Sequence, residues 1–430
     1  MARAPIERRL AEAGRAPLRR TAWLEIDVDA LAWNLAAIRA AVPAGTRVEP
    51  VVKADAYGHG AVPVARILAD AGADGLCVAT LDEAIELRDA GLALPVLVLY
   101  PVPPAFAGEA ARREIALGAG DRALLERLLA ATPPVEPGAP ELRIHIEVET
   151  GLGRGGFPPD AVVDAAAAIG RTPGARLAGL WSHLQDPGAP DRTAGQVARL
   201  ADAIERLAGA GIVVPDRHLA ASGALVLGNA PAADAVRPGL IVYGIVPDDV
   251  GPIESALAAR LRPVMALRAR PVRVMDLPAG HGVSYGPTFT TARPSRIATL
   301  PLGYGDGWPR ALSNRAEALV RGVRVPLVGN VAMDAVMADV TDVPASRVGV
   351  DDEFTLIGED GADRIGASDV ARQHSTNAWE VVTGMSARVA RVYHAAAGIV
   401  GVRSLLRGEN WWPGSSSGTA TSATSRSTRS

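Results

Sequence analysis

Between residues 48 and 236 the chain alternates short apolar runs with longer Ala-, Leu- and Arg-rich stretches, and this alternation limits its folds more than any other feature. The strand-type runs are Val48–Val52, Gly75–Ala79, Pro95–Leu99, Glu114–Leu117, Leu142–Val148, Leu177–Ser182, Arg217–Ala220 and Ala235–Val236. Most gaps between them hold a helical pattern, as in Ala61–Ala71, Asp82–Ala90 and Thr193–Ala210. A strand buried on both faces reads as a continuous apolar run, and a helix is needed to bring the chain back parallel. Eight such units predict an α/β fold with a TIM-like (β/α)8 barrel, whose reactive residues sit just after the strands.

The pattern changes near Pro247-Asp248-Asp249. Short alternating runs follow at Met265–Val274, Arg296–Leu300, Ala318–Val320, Arg324–Val328 and Glu353–Ile357, punctuated by Gly and Pro, and predict a mainly β C-terminal domain. A helical stretch, Ser368–Val382, comes late. The resulting division is an N-terminal extension (1–21), a barrel (22–255), a β domain (256–408) and a disordered Ser/Thr/Gly/Ala-rich tail (409–430). The arginine-rich extension has no apolar segment behind it, so it reads as a solvated lead-in and not as a secretory signal. A net charge of −3 gives no field for nucleic acid or an anionic membrane, and no apolar run reaches membrane-spanning length. The one cysteine, Cys77, lies in an apolar run and reads as a buried small hydrophobe; with no disulfide framework, the expected location is a reducing cytoplasm.

Lys53 is the only lysine; every other basic residue among the 44 is an arginine. An ammonium can be desolvated, lose its proton and act as nucleophile or base, whereas a guanidinium stays charged. The chemistry that most demands a lysine is a Schiff base to a carbonyl compound. Lys53 also follows the first strand-type run directly, where a barrel enzyme places reactive groups.

The segment Val51-Val52-Lys53-Ala54-Asp55-Ala56-Tyr57-Gly58-His59-Gly60 resembles the cofactor-lysine motif of the alanine racemase family, and similarity continues in order from Trp23-Leu24-Glu25-Ile26-Asp27 to Arg391-Val392-Tyr393. The resemblance implies pyridoxal 5'-phosphate held as a Schiff base on Lys53, with Lys53 the base on one face of the substrate α-carbon and Tyr57 a donor to the phosphate. Gly282-Val283-Ser284-Tyr285-Gly286-Pro287-Thr288-Phe289 resembles the family's catalytic-tyrosine motif and implies Tyr285 as the opposite base. A phenol near pKa ~10 needs a stabilised anion for that work. By the same resemblance His183 lies against the cofactor ring, Arg154 steadies the phenolate and the substrate carboxylate, and Arg237 faces the pyridine nitrogen. Arginine there donates without giving up a proton, which weakens the cofactor as an electron sink and suits simple proton transfer. Ser222, Gly239 and Leu240 match phosphate donors, Tyr304 lines the entry, and Met333 contacts the substrate carboxylate. The resemblance further implies an obligatory homodimer in which Tyr285, Tyr304 and Met333 complete the partner's site, with D-alanine for cell-wall peptidoglycan as the usual purpose.

Three positions depart from the family pattern. Glu147 stands where many members carry a carbamylated lysine, and is expected to pair with Arg154 without carbon dioxide. Ala221 replaces an asparagine, and Trp379 replaces a tyrosine that donates to the phosphate and narrows the entrance. The last two leave serine or another amino acid open as the substrate. A D-threonine-aldolase-like lyase would need a divalent metal, for which the sequence shows no obvious ligand cluster; His374 and His394 are isolated. A non-enzymatic cofactor-binding barrel would not need the β domain.

Overall fold

The computed structural model describes residues 4–133, 138–231, 233–251, 255–343 and 348–406. The strands Arg47–Val48, Leu76–Val78, Val96–Val98, Ile115–Ala119, Leu142–Glu147, Ala175–Trp181, Arg217–Ala221 and Ala235–Arg237 form one eight-stranded parallel sheet, in chain order except that Arg47–Val48 lies beside Ala235–Arg237. A parallel bridge between Val51 and Cys77, with Val52 N–H donating to the Cys77 carbonyl over 2.8 Å, joins the first strand's extension to the second and closes the barrel. The eight expected runs are the eight strands, their ends shifted by at most four residues. Cys77 is fully buried in this ring.

The second sheet has 11 strands. One of them is Ala22–Asp27, which pairs antiparallel with Met265–Ala269 (Leu24 opposite Leu267) and parallel with Ala390–Ala395 (Ile26 opposite Tyr393). By hydrogen bonding this strand belongs to the β sheet and not to the barrel, contrary to the boundary drawn at residue 22. The expected single run Met265–Val274 is two strands, Met265–Ala269 and Arg273–Leu277, because Pro271 cannot donate to a ladder. The late helical stretch is also two pieces, Ala367–Gln373 and Ala378–Thr383. Ser375 at φ 60 breaks it, and the Asn377 side chain accepts from Glu380 N–H to start the second piece.

The extension is not a solvated lead-in. Ile6–Glu12 is a helix whose i,i+4 pair Ile6 and Leu10 is buried against Trp23, Val392 and Ile399. Arg9 reaches the buried Glu25 carboxylate at 2.7 Å, and Arg268 reaches its other oxygen at 3.0 Å. Two guanidiniums thus compensate a charge that would be costly alone. The tail expected to be disordered, 409–430, lies outside the described residues.

Leu10→Ala opens a cavity in this small cluster and is expected to lower unfolding free energy by about 3 kcal/mol, read from urea denaturation. A loss under 0.5 kcal/mol would show that the helix is not packed on the sheet.

Candidate active site

Lys53 opens a five-residue turn, Lys53–Tyr57, in which Ala54, Asp55, Ala56 and Tyr57 have φ of 51, 55, 53 and 53°. This is left-handed helix made by residues with side chains, at a cost of about 1–2 kcal/mol each. Its surroundings hold it in place. Ala54 N–H donates to Glu83 over 2.6 Å, and the same carboxylate accepts from Ala79 and Thr80 N–H. Asp55 pairs with Arg403 at 2.6 Å and accepts from Ala61 N–H at 2.8 Å. Buried Arg391 donates to the Gly58 carbonyl, and the Tyr393 hydroxyl donates to the His59 carbonyl over 2.9 Å. At Gly58 and Gly60 a Cβ would stand 2.1 Å from the Val382 carbonyl and 2.0 Å from the Tyr393 hydroxyl, so glycine is the residue that lets the two units touch.

A cavity of about 350 Å³ opens beside this turn. Nine of the expected site residues line it: Lys53, Tyr57, Arg154, His183, Ser222, Arg237, Gly239, Leu240 and Trp379, each at or after a barrel strand except Trp379, which comes from the second short helix of the β unit. Ser222 Oγ accepts from Gly239 N–H over 2.9 Å. A Cβ on Gly239 would lie 2.7 Å from the Tyr57 hydroxyl and 3.8 Å from Ser222 Oγ, so the missing side chain keeps a small cradle open between two hydroxyls and a backbone amide. Ala221 lines the same cavity as Trp379.

The charges around the cavity are arginines. Arg154 pairs with Glu147 at 3.4 Å and lies 5.5 Å over the Tyr100 ring. Burial lowers the Lys53 pKa from its ordinary value and the Arg154 charge lowers it further. Burial holds His183 down at about 3, reinforced by Arg237, Arg154 and Lys53, so its ring is neutral. Burial also raises the Glu147 carboxyl, against the pull of Arg154. Arg237 is itself buried; it donates to the Ser182 carbonyl at 2.7 Å and to His218 Nδ1, and lies 5.0 Å over the Trp181 ring.

Three expected residues do not line this cavity. Tyr285 (82% exposed), Tyr304 (45%) and Met333 (52%) lie on the surface of the β unit. The Asn330 side chain donates to the Tyr285 carbonyl at 2.9 Å, and the Tyr304 and Gly305 amides donate to the Ala332 and Met333 carbonyls, so neighbouring loops carry all three. Sequence reasoning missed Tyr100, Glu83 and the His218–His145 pair. Tyr100 had a signal, since it follows the strand Val96–Val98 at the reactive end of the barrel; the others act through contacts no local pattern marks.

Family profiles for the alanine racemase N-terminal and C-terminal domains match residues 26–247 and 264–393. The chain belongs to the alanine racemase family. It is 37% identical over 381 residues to an alanine racemase of Halothermothrix orenii, covering 87% of this chain and 97% of that one. It is 39% identical to an alanine racemase of Symbiobacterium thermophilum, with 87% and 97% covered. The crystal structure of alanine racemase from Bacillus anthracis with bound L-Ala-P superposes with a TM-score of 0.81 at 31% identity, covering 90% of this chain and 98% of that one. Among the described residues, no helix is long and apolar enough to cross a membrane.

One titration in this alanine racemase family member is set by the barrel interior. Burial, and then the charge of Asp216, push the Glu49 carboxyl up from 4.5 to about 7. The folded state therefore keeps a proton that the unfolded chain releases, and this contribution to stability is lost as pH rises from about 4.5 to 7. Glu49→Gln, which cannot ionise, is expected to gain stability relative to the parent as pH goes from 5 to 8 by about 1–3 kcal/mol. A pH-independent difference in thermal melting would contradict the raised value.

Proposed function

We propose that the chain is a cytoplasmic, pyridoxal-phosphate-dependent racemase that interconverts L- and D-alanine as a homodimer, supplying D-alanine for peptidoglycan. The observation that carries this reading is the lone, half-buried Lys53, its pKa lowered, facing the same cavity as the Tyr57–Ser222–Gly239 cradle and Arg237. The cradle suits a phosphate, because the Tyr57 and Ser222 hydroxyls converge where no side chain intrudes and Gly239 N–H orients the Ser222 hydroxyl. Leu240 N–H is the further backbone donor expected there.

Pyridoxal phosphate, when bound, supplies an electron-withdrawing ring that acidifies the α C–H of an attached amino acid. The chain's own groups supply the rest. Lys53 Nζ is the attachment point and takes or returns the α-proton on one face; low local polarity and the Arg154 charge favour its neutral form. Arg237 would donate to the ring nitrogen and keep its own proton. His183, neutral, would lie against the ring and accept or donate without adding charge. Arg154 binds the substrate carboxylate, steadied by Glu147 and the Tyr100 ring. Tyr285 of the partner subunit is the base on the other face, with Tyr304 and Met333 from that subunit closing the entrance. Support for the dimer is that these three large side chains are exposed on one chain and none lines its own cavity. Ala221 and Trp379 line the same cavity, so a smaller and a larger side chain than the family pattern change its wall together.

Lys53→Arg is expected to abolish the visible absorbance of the attached cofactor, and retention of that band would refute the attachment site. Tyr285→Phe is expected to cut racemisation by at least about 100-fold while cofactor binding stays, as removal of a proton-transfer group does; equal loss of both would make Tyr285 structural. Added bicarbonate is expected to leave activity unchanged, since Glu147 supplies the anion directly; stimulation would count against that pairing.

A further inference from the structure

Beyond Arg237 the barrel interior holds ionisable groups that the proposed chemistry does not use. His218 is fully buried, and His145, Asp216 and Glu49 are 7–8% exposed. Arg237 hydrogen-bonds His218 Nδ1, and His218 Nε2 lies 3.0 Å from His145 Nδ1. Arg47 pairs with Asp216 and, at 3.3 Å, with Glu49. Donor atoms of His145, Asp216 and His218 lie within 4.8 Å of one another.

The hydrogen-bond inventory fixes the protons along this line. A guanidinium donates and never accepts, so His218 Nδ1 carries the lone pair and His218 is protonated on Nε2. That N–H then donates to His145 Nδ1, which must also be bare, and His145 carries its proton on Nε2. Burial and the Arg237 charge oppose protonation of both rings, holding His145 at about 3 and His218 well below its ordinary value. A second proton on His218 would set two donors against each other at Arg237. The sequence makes room for the pair at Gly179, where a Cβ would stand 2.4 Å from His145 Nδ1. The Trp181 ring lies parallel to His218, within 5°, and beneath Arg237, so the guanidinium is held at its edge by His218 and Ser182 and on its face by the indole.

We propose that His145 is a positioning residue: by accepting the Nε2 proton of His218 it keeps the Nδ1 lone pair of His218 on Arg237, and so holds that guanidinium as a fixed donor facing the cavity. The kinetic consequence rests on the racemase reading; the tautomers do not.

The test is a long-range proton–nitrogen correlation spectrum of the holoenzyme carrying 15N-histidine, assigned by the signals lost in His145→Asn and His218→Gln. The expected result is two neutral, Nε2-protonated rings that do not titrate from roughly pH 6 to 9, across the range where a free imidazole changes charge. In His145→Phe, which lacks the acceptor, the Nε2–H signature of His218 is expected to be lost or averaged, kcat to fall about 10-fold with KM little changed, and the cofactor absorbance to shift, the scale of a lost outer-sphere partner. His145→Asn, whose Oδ1 takes the place of Nδ1, is expected to restore kcat to within a few fold. Nδ1 protonation of His218 in the parent overturns the proposal, as does a His145→Phe enzyme with unchanged kcat and His218 signals. If that variant does not fold, the parent spectrum and His145→Asn decide. The expected tautomers in a protein that racemises nothing would refute the racemase reading and the kinetic claim with it.

Discussion

The left-handed turn after Lys53 is the constraint on which the rest of the site depends. Four residues with side chains adopt a conformation that isolated chains avoid, and they do so because groups distant in sequence hold them. The Asp55–Arg403 pair spans 348 positions, and Arg391 and Tyr393 grip the next two residues from the adjoining strand. Those strands sit beside Ala22–Asp27, which sits beside Met265–Ala269. The turn that begins at Lys53 is therefore held by strands that lie on the other sheet beside Ala22–Asp27. The β unit is needed by its own subunit, quite apart from any residues it lends to a second one.

The electrostatic plan follows from having one lysine among arginines. The guanidiniums of Arg154 and Arg237 set a field that acts on the groups around them. Lys53 is pushed toward its neutral form, and His183, His145 and His218 are held neutral. In the proposed reaction this leaves Lys53 as the proton carrier within the chain's own cavity, with the second base supplied by Tyr285 of the partner subunit. On the far side of Arg237 the carboxyls of Asp216 and Glu49 lie against Arg47, and burial raises both above their ordinary values.

The barrel was legible because each strand is buried on both faces and so reads as an unbroken apolar run, bounded by helical periodicity. That Lys53, Tyr57, Ser222, Arg237 and Gly239 would share one cavity was legible because they sit at the ends of those runs, in contiguous motifs. The allegiance of Ala22–Asp27 was not legible: a single strand's sequence says that it pairs, not with what. The helix Ile6–Glu12 was hidden because only two apolar residues face the sheet and its anchoring charge, Glu25, lies in another element. Glu83 and His145 could not be found from sequence because their function is to hold a neighbour, through one bond to a residue tens of positions away.

In the proposed racemisation, Lys53 and a second base exchange the α-proton of alanine on opposite faces. The direct measurement follows purified holoenzyme in heavy water, offered L-alanine and D-alanine separately alongside L-serine and larger L-amino acids, recording α-proton exchange and chirality together. Two-base racemisation predicts deuterium entering alanine from either enantiomer, with the opposite enantiomer appearing at a comparable rate. Exchange confined to another amino acid would contradict the alanine assignment, and exchange with full retention of configuration would contradict the two-base arrangement itself.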